Sequence, residues 1–246
     1  MRKQVPIRNH ILAGLPRKEY SRILSDLAHV TFKSGQVLYE PGVVMHSAYF
    51  LDTAIASILS VAEDGTSIEV SVVGDEGVIG IPIVLRSRGL PYRIVVQESG
   101  IAWRMKADVL RREFERCGPL HKLVLHYVHT LIVVLSQSGA CNRFHTIRQR
   151  FCRWVLTSQD RARSSEIKST QEFLSQMLGV NRGSASEAAS ALQRAGLISY
   201  RRGRITILNR SGLEAAACEC YRIVQGEFDR LFRASSPRLT PPPVPR

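Results

Sequence analysis

The period of the apolar positions changes twice along this chain. Over residues 15–28, Leu15, Tyr20, Ile23, Leu24 and Leu27 recur at helical intervals and predict a small amphipathic helix. From about Val30 to Met105 the apolar runs are short and bounded by turn residues. Residues 30–33 and 37–39 are split by Ser34-Gly35, and Pro41-Gly42 ends the next piece. Residues 47–51 and 55–61 follow, and Glu63-Asp64-Gly65-Thr66 is a hairpin turn into residues 67–73. Residues 93–97 and 101–105, joined through Ser99-Gly100, close the set. Short strands at this spacing predict an antiparallel barrel or roll.

Helical spacing returns after Met105, and Pro119 suits the first turn of a long helix over residues 119–142. Leu120, Val124, Tyr127, Leu131, Val134, Ser138 and Cys141 alternate by four and three, the spacing of a coiled-coil seam. Leu123, Val128, Ile132 and Leu135 widen the apolar surface, so the helix is expected to pack on two partners. One is its own roll and the other a second copy, with Leu120, Val124, Tyr127, Leu131, Val134 and Ser138 at the dimer contact; a single buried core helix is the alternative. Another helix over residues 147–161 and a polar connector at residues 163–165 lead into the next unit.

Residues 169–207 read as a winged helix-turn-helix. Ser169 and Glu172 have capping-box spacing for a helix over residues 170–178, with Phe173, Leu174, Met177 and Leu178 as its apolar stripe. Gly179 supplies the turn, Val180 the apolar plug and Asn181 the cap of a second helix over residues 182–195. Ala185, Ala188, Ala189 and Leu192 face inward, which leaves Arg182, Gly183, Ser184, Ser186 and Glu187 outward, as in a helix that reads base edges in a major groove. Gly196 stops the helix, and Arg201-Arg202-Gly203-Arg204 turns between two short strands as a basic wing. Expected DNA contacts are Arg182, Gly183, Ser184, Ser186 and Glu187 with Ser169 and Thr170, while Arg201, Arg202 and Arg204 reach the backbone. An amphipathic helix over residues 213–231 either covers the back of this unit or adds to the dimer contact. The proline-rich tail, residues 234–246, is expected to be disordered.

Charge agrees with the motif. Residues 143–210 hold 13 Lys/Arg against 4 Asp/Glu, which is most of the net +13, and phosphate neutralisation drives non-specific DNA affinity. At 246 residues and 44% apolar, the chain can bury a full core as one large or two small domains. Five cysteines, odd in number and without zinc-finger spacing, fit a reducing cytoplasm. Cys218 and Cys220, placed on a helix, would point about 200° apart and read as small buried thiols, so no metal ligands are assigned. Arg2 and Lys3 precede no apolar run, and the apolar stretch at residues 123–135 is short and carries His126 and His129; neither a leader nor a membrane span is expected. No phosphate-binding glycine loop, metal cluster or nucleophile elbow is visible, so no enzyme is expected.

Three stretches together resemble the Crp/Fnr family of bacterial transcription regulators. Phe32-Lys33-Ser34-Gly35-Gln36-Val37-Leu38-Tyr39-Glu40-Pro41-Gly42 is similar to the family's first strand pair, and Gly74-Asp75-Glu76-Gly77-Val78-Ile79-Gly80 to the approach to its ligand cassette. Leu178-Gly179-Val180-Asn181-Arg182 with Leu192-Ala195-Gly196-Leu197-Ile198 is similar to its helix-turn-helix. The resemblance implies an α+β architecture: an antiparallel, cyclic-nucleotide-binding-like β-roll with flanking helices (1–118), a dimerisation helix (119–142) and a winged helix-turn-helix domain with a C-terminal helix (143–233). It implies a homodimer on inverted-repeat double-stranded DNA, with a signal entering at the roll and RNA polymerase as a partner. The alternative is a ligand-responsive module that binds a protein partner.

The family's cyclic-nucleotide binders hold the ribose with a Gly-Glu and the phosphate with an Arg followed by Ser or Thr. Here Gly80 is followed by Ile81, and Tyr92-Arg93 stands at the second place, so Gly80, Ile81, Tyr92 and Arg93 are the candidate ligand positions and speak against a cyclic nucleotide. The absence of cysteine before Cys117 speaks against the oxygen-sensing branch's iron–sulfur cluster. A haem ligand would have to be drawn from His29, His46, His121, His126 or His129, which read as structural or exposed. Gly183 and Glu187 replace the family's usual Glu or Gln and Arg, implying a different operator.

Overall fold

The computed structural model describes residues 7–87 and 89–235. The helix predicted over residues 15–28 is α2 (Arg17–Ile23), capped by Pro16 and continued by a 3-10 turn over Leu24–Asp26; it is preceded by a short α1 (His10–Ala13) that the pattern did not show. Eight strands then make the roll: β1 (Ala28–Phe32), β2 (Val37–Tyr39), β3 (Ser47–Leu51), β4 (Ile55–Val61), β5 (Ser67–Val73), β6 (Val78–Ile79), β7 (Tyr92–Glu98) and β8 (Gly100–Lys106). They form two antiparallel four-stranded sheets, in the orders β1-β8-β3-β6 and β2-β7-β4-β5. Phe50, Ile58, Ile94 and Met105 bury in one cluster that draws on both sheets. The β4–β5 hairpin closes where Asp64 Oδ1 accepts from the Thr66 amide at 2.9 Å and Gly65 takes a φ of +83°. Ile81–Val84, an apolar run too short for a strand pair, instead forms α3 behind Gly80.

Helix α4 (Ala107–Glu115) leads to the long α5 (Pro119–Phe144) and then α6 (Ile147–Ala162), whose Thr146 and Gln149 complete a capping box. The winged helix comprises β9 (Glu166–Lys168), α7 (Gln171–Leu178), α8 (Arg182–Arg194), β10 (Ile198–Arg201) and β11 (Arg204–Ile207); α9 (Arg210–Ala216) and α10 (Cys220–Ser235) complete the fold. Phe151, Trp154, Val155, Leu174, Leu178, Ala185, Leu192 and Ile205 form the core of this half. Of the tail expected to be disordered from Ala234, Ala234 and Ser235 are the last residues of α10, and residues 236–246 lie outside the described residues.

The residues expected at a dimer contact are largely covered within the chain itself. Leu120, Val124, Tyr127, Val134 and Ser138 are buried inside the chain itself, and Leu131 is half-buried. The later part of the stripe is covered by α10, which runs antiparallel along α5: Gln137 donates to Cys220, while His129 stands 3.7 Å from Glu227. Val224, Phe228 and Leu231 join Val134 in the same cluster, and Tyr127 fills the space against Gly77 of the roll. The roll and the last helix therefore cover that stripe between them. What α5 leaves open is the adjacent one, with Leu125 at 44% and Ile132 at 57% exposure and Val128 and Leu135 half-buried beside them. At 26 residues α5 is also long and apolar enough by composition to cross a membrane, but one of its faces is covered by α10 and the roll.

The two halves are tied together. Arg161 of α6 pairs with Glu76 at 2.8 Å, both nearly enclosed, and Arg163 pairs with Asp75 at 2.7 Å. Glu69 of β5 faces the same junction, its Oε2 enclosed without a hydrogen-bond partner. Burial pushes its carboxyl from 4.5 up to about 7, against the lowering influence of Ser57, Arg153 and Arg161. Between those two values the folded chain keeps a proton that the unfolded chain has lost, so stability falls as pH rises through that window. Glu69→Gln should remove this slope and raise stability at pH 8 by about 3 kcal/mol. Urea unfolding of both proteins at pH 5 and pH 8 checks it; equal slopes would contradict it.

Candidate nucleic-acid interface and sensor cavity

Each helix of the reading unit starts at a side-chain cap. Thr170 Oγ1 accepts from the Phe173 amide at 3.1 Å, so Thr170, and not Ser169, caps α7. Ser169 is only 3% exposed, its amide donates to the Gly203 carbonyl and its own carbonyl accepts from the Tyr200 hydroxyl. It fastens the helix start to the wing and is withdrawn from the DNA-contact set. Gly179, at a φ of +60°, makes the turn between α7 and α8. Asn181 Oδ1 accepts from the Ser184 amide at 2.8 Å and starts α8.

The outward face of α8 is as expected: Arg182, Gly183 and Glu187 are exposed, and Ser184 and Ser186 half-buried. Arg182 Nη2 rests 2.9 Å from Glu172 Oε2, with both side chains more than 60% exposed. Such a surface pair is worth at most about 1 kcal/mol, so a guanine edge or a phosphate can displace Glu172. The free amides at the start of α8 add a positive end to the same spot.

Arg202 and Gly203, at φ of +49° and +71°, form the two-residue turn of the wing, and Arg201 pairs with Arg204 across it. Arg201, Arg202 and Arg204 are all exposed, and Arg204 reaches Glu166 at 3.4 Å. One cation escaped the sequence: β9 pairs with β11 so that Lys168 lies opposite Arg204. The polar-apolar-polar alternation of Glu166, Ile167 and Lys168 is the only sign of that strand, and it is three residues long.

The N-terminal half holds a cavity of about 380 Å³ between the roll and α5. Gly80, Ile81 and Tyr92 line it, with Ile94, Leu131 and Leu135 among the other walls. Arg93 does not: on β7 it alternates away from Tyr92 and Ile94 and pairs with Glu40 at 2.8 Å. Among the described residues the walls carry no charged side chain. Gly80 itself is required by the backbone, because its φ is +131° and a Cβ there would meet Ala48 at 2.8 Å.

A third constellation was not expected. Cys218 and Cys220 do not share a helix, since α9 ends at Ala216 and α10 starts at Cys220. Both sulfurs turn toward Cys141 and His145, and the four ligand atoms lie within 4.8 Å of one another.

An antiparallel roll, a long helix and a winged helix-turn-helix with a basic wing define a type of DNA-binding regulator. Residues 29–117 match the cyclic nucleotide-binding domain family, and residues 149–216 match the Crp-like helix-turn-helix domain family. No curated protein matches the sequence. Among solved structures, a protein from Eubacterium rectale described as a regulator of the Crp/Fnr family superposes with a TM-score of 0.68 at 17% identity, over 84% of this chain and 96% of that one. A CRP-family transcriptional regulator from Thermus thermophilus gives 0.66 at 18% identity, over 76% and 96%. FixK2 from Bradyrhizobium japonicum gives 0.68 at 13% identity, over 78% and 98%. The chain belongs to the Crp/Fnr family of DNA-binding transcription regulators, and no enzymatic activity is assigned to it.

Proposed function

We propose that the protein is a cytoplasmic homodimer that recognises an inverted-repeat DNA site under the control of a small ligand at the roll, and that it acts on RNA polymerase as its family does. The observation that carries this reading is the exposed Arg182–Glu187 face of α8 beside a wing of Arg201, Arg202, Arg204 and Lys168. A two-fold axis along the open stripe of α5 would set two such faces about one helical turn, ~34 Å, apart. The apolar lining of the cavity fits an apolar effector better than a cyclic nucleotide, whose phosphate needs a cation. Segment 74–80 carries both the ion pairs to α6 and part of the cavity wall, so a filled cavity has a direct mechanical route to the reading unit.

Selection of bound sequences from a random DNA pool, with and without cell extract, tests the reading. Enrichment of a symmetric sequence is expected; an unenriched pool in both arms would favour a protein-binding module. Arg182→Ala should then cost about 1–3 kcal/mol on the selected duplex and little on random DNA. Arg202→Ala should weaken binding to both duplexes and lower the salt slope by about one. Anisotropy titrations at several salt concentrations separate the two behaviours.

A further inference from the structure

The junction between the long helix and the reading unit is made by very few residues. α5 ends at Phe144, His145 is its cap, and Thr146 already caps α6. Two residues thus connect the two helices, and Cys141 lies in the last turn of α5. On the far side of the winged helix, the break between α9 and α10 brings Cys218 and Cys220 back to this same point. Cys141 Sγ stands 3.5 Å from Cys218 Sγ, and Cys220 Sγ stands 3.4 Å from His145 Nδ1.

We propose that Cys141, His145, Cys218 and Cys220 form a tetrahedral site for a single zinc-class divalent cation that clamps the reading unit to the long helix. Three thiolates and one imidazole are an established ligand set for structural zinc. Bond lengths of ~2.3 Å to sulfur and ~2.0 Å to nitrogen give a tetrahedron with sulfur–sulfur edges of ~3.8 Å and sulfur–nitrogen edges of ~3.5 Å. The observed 3.5 and 3.4 Å separations are within a few tenths of an ångström of those edges. An iron–sulfur cluster places several iron and sulfide atoms among its cysteines, and a group of ligands within 4.8 Å is too tight for it. Magnesium and calcium are disfavoured because none of the four donors is an oxygen.

The surroundings of the four ligands point the same way. His145 turns Nδ1 toward the sulfurs while its Nε2 lies 3.2 Å from Glu219 Oε1, the carboxylate support that fixes a metal-binding imidazole. Gln137 Nε2 lies 3.1 Å from Cys220 Sγ, an amide donor aimed at a sulfur acceptor. Buried thiols that merely fill space would be absorbed into a larger apolar cluster. Cys141, Cys218 and Cys220 instead form a cluster of their own, apart from the cores of both halves. Metal entry would release the thiol protons to solvent, with no change of oxidation state. Cys141 and Cys218 are 77 positions apart, so one ion would close a loop around the whole winged helix.

The test uses the full-length protein, purified under reducing, anaerobic conditions and titrated with Co2+ alone. The expected result is about one Co2+ per chain, with intense sulfur-to-cobalt charge transfer and tetrahedral d–d bands, displaced stoichiometrically by Zn2+. Cys218→Ser and Cys220→Ser should each lose stoichiometric binding, and Glu219→Gln should weaken it about tenfold. Cys152→Ser should leave it unchanged, since burial pushes that thiol up to about 11 and it lies outside the cluster. The Co2+ spectrum of the unsubstituted protein decides the matter even where a variant fails to fold. Absence of charge transfer, cluster-type iron absorption, or a Cys141–Cys218 disulfide in protein taken anaerobically from cells would each overturn the proposal.

Discussion

Leu125→Asp combined with Ile132→Asp should turn the protein into a folded monomer and weaken binding to the inverted repeat by about 10²–10⁴-fold, the advantage of reading two half-sites at once. Both side chains stand on the stripe of α5 that neither the roll nor α10 covers, at 44% and 57% exposure. A carboxylate there meets solvent in the monomer, so folding should survive. In a dimer it would be desolvated against a second apolar helix without a partner. Leu125→Asp alone separates this effect from ligand binding, because Ile132 also lines the sensor cavity and Leu125 does not. Sedimentation and anisotropy read the two consequences. A variant that remains dimeric with unchanged affinity would place the two-fold contact elsewhere.

Arg161→Met should destabilise the protein by about 3–5 kcal/mol, because it leaves Glu76 enclosed with its charge uncompensated. The pair is among the least exposed ion pairs joining the halves, at 8% and 7% side-chain exposure. Arg161 also lies over the Phe228 ring and supports Glu69 electrostatically, so its removal touches β5, α6 and α10 together. Adding Glu76→Gln should restore much of the loss, since a neutral pair avoids the stranded charge. Urea unfolding of the four proteins gives the coupling directly. Additive losses would mean that the pair is not the link between the halves.

The winged helix was legible because its signals are local. Gly179, Asn181 and the Arg202-Gly203 turn each act within a few residues, and the predicted elements match the observed ones to within about two positions. Ser169 and Thr170 show the limit of that reading: both are capping types, and packing under Tyr200 decided between them. The roll was legible as alternating strands, but its β6 at two residues, like β9 of the winged helix at three, is too short to carry a period.

The long-range features were not legible. Heptad spacing reveals that Val134 and Ser138 are covered but not by what, and the cover proved to be α10, about ninety positions later in the chain. Arg93 could be placed beside Tyr92 by sequence, yet the pleat sends it to Glu40. Cys218 and Cys220 read as diverging only because a helix was assumed to run through residues 217–219. No spacing rule could have joined them to Cys141 and His145.

Sequence discrimination by the intact protein tests the central claim most directly. The full-length chain would be titrated at one fixed salt concentration against the duplex recovered by selection and against a scrambled duplex of equal length. The expected result is a preference of about 10³-fold or more, with two chains bound per selected duplex and a salt slope common to both sequences within the shared backbone contacts. Equal affinities for the two duplexes would contradict a base-reading role for α8.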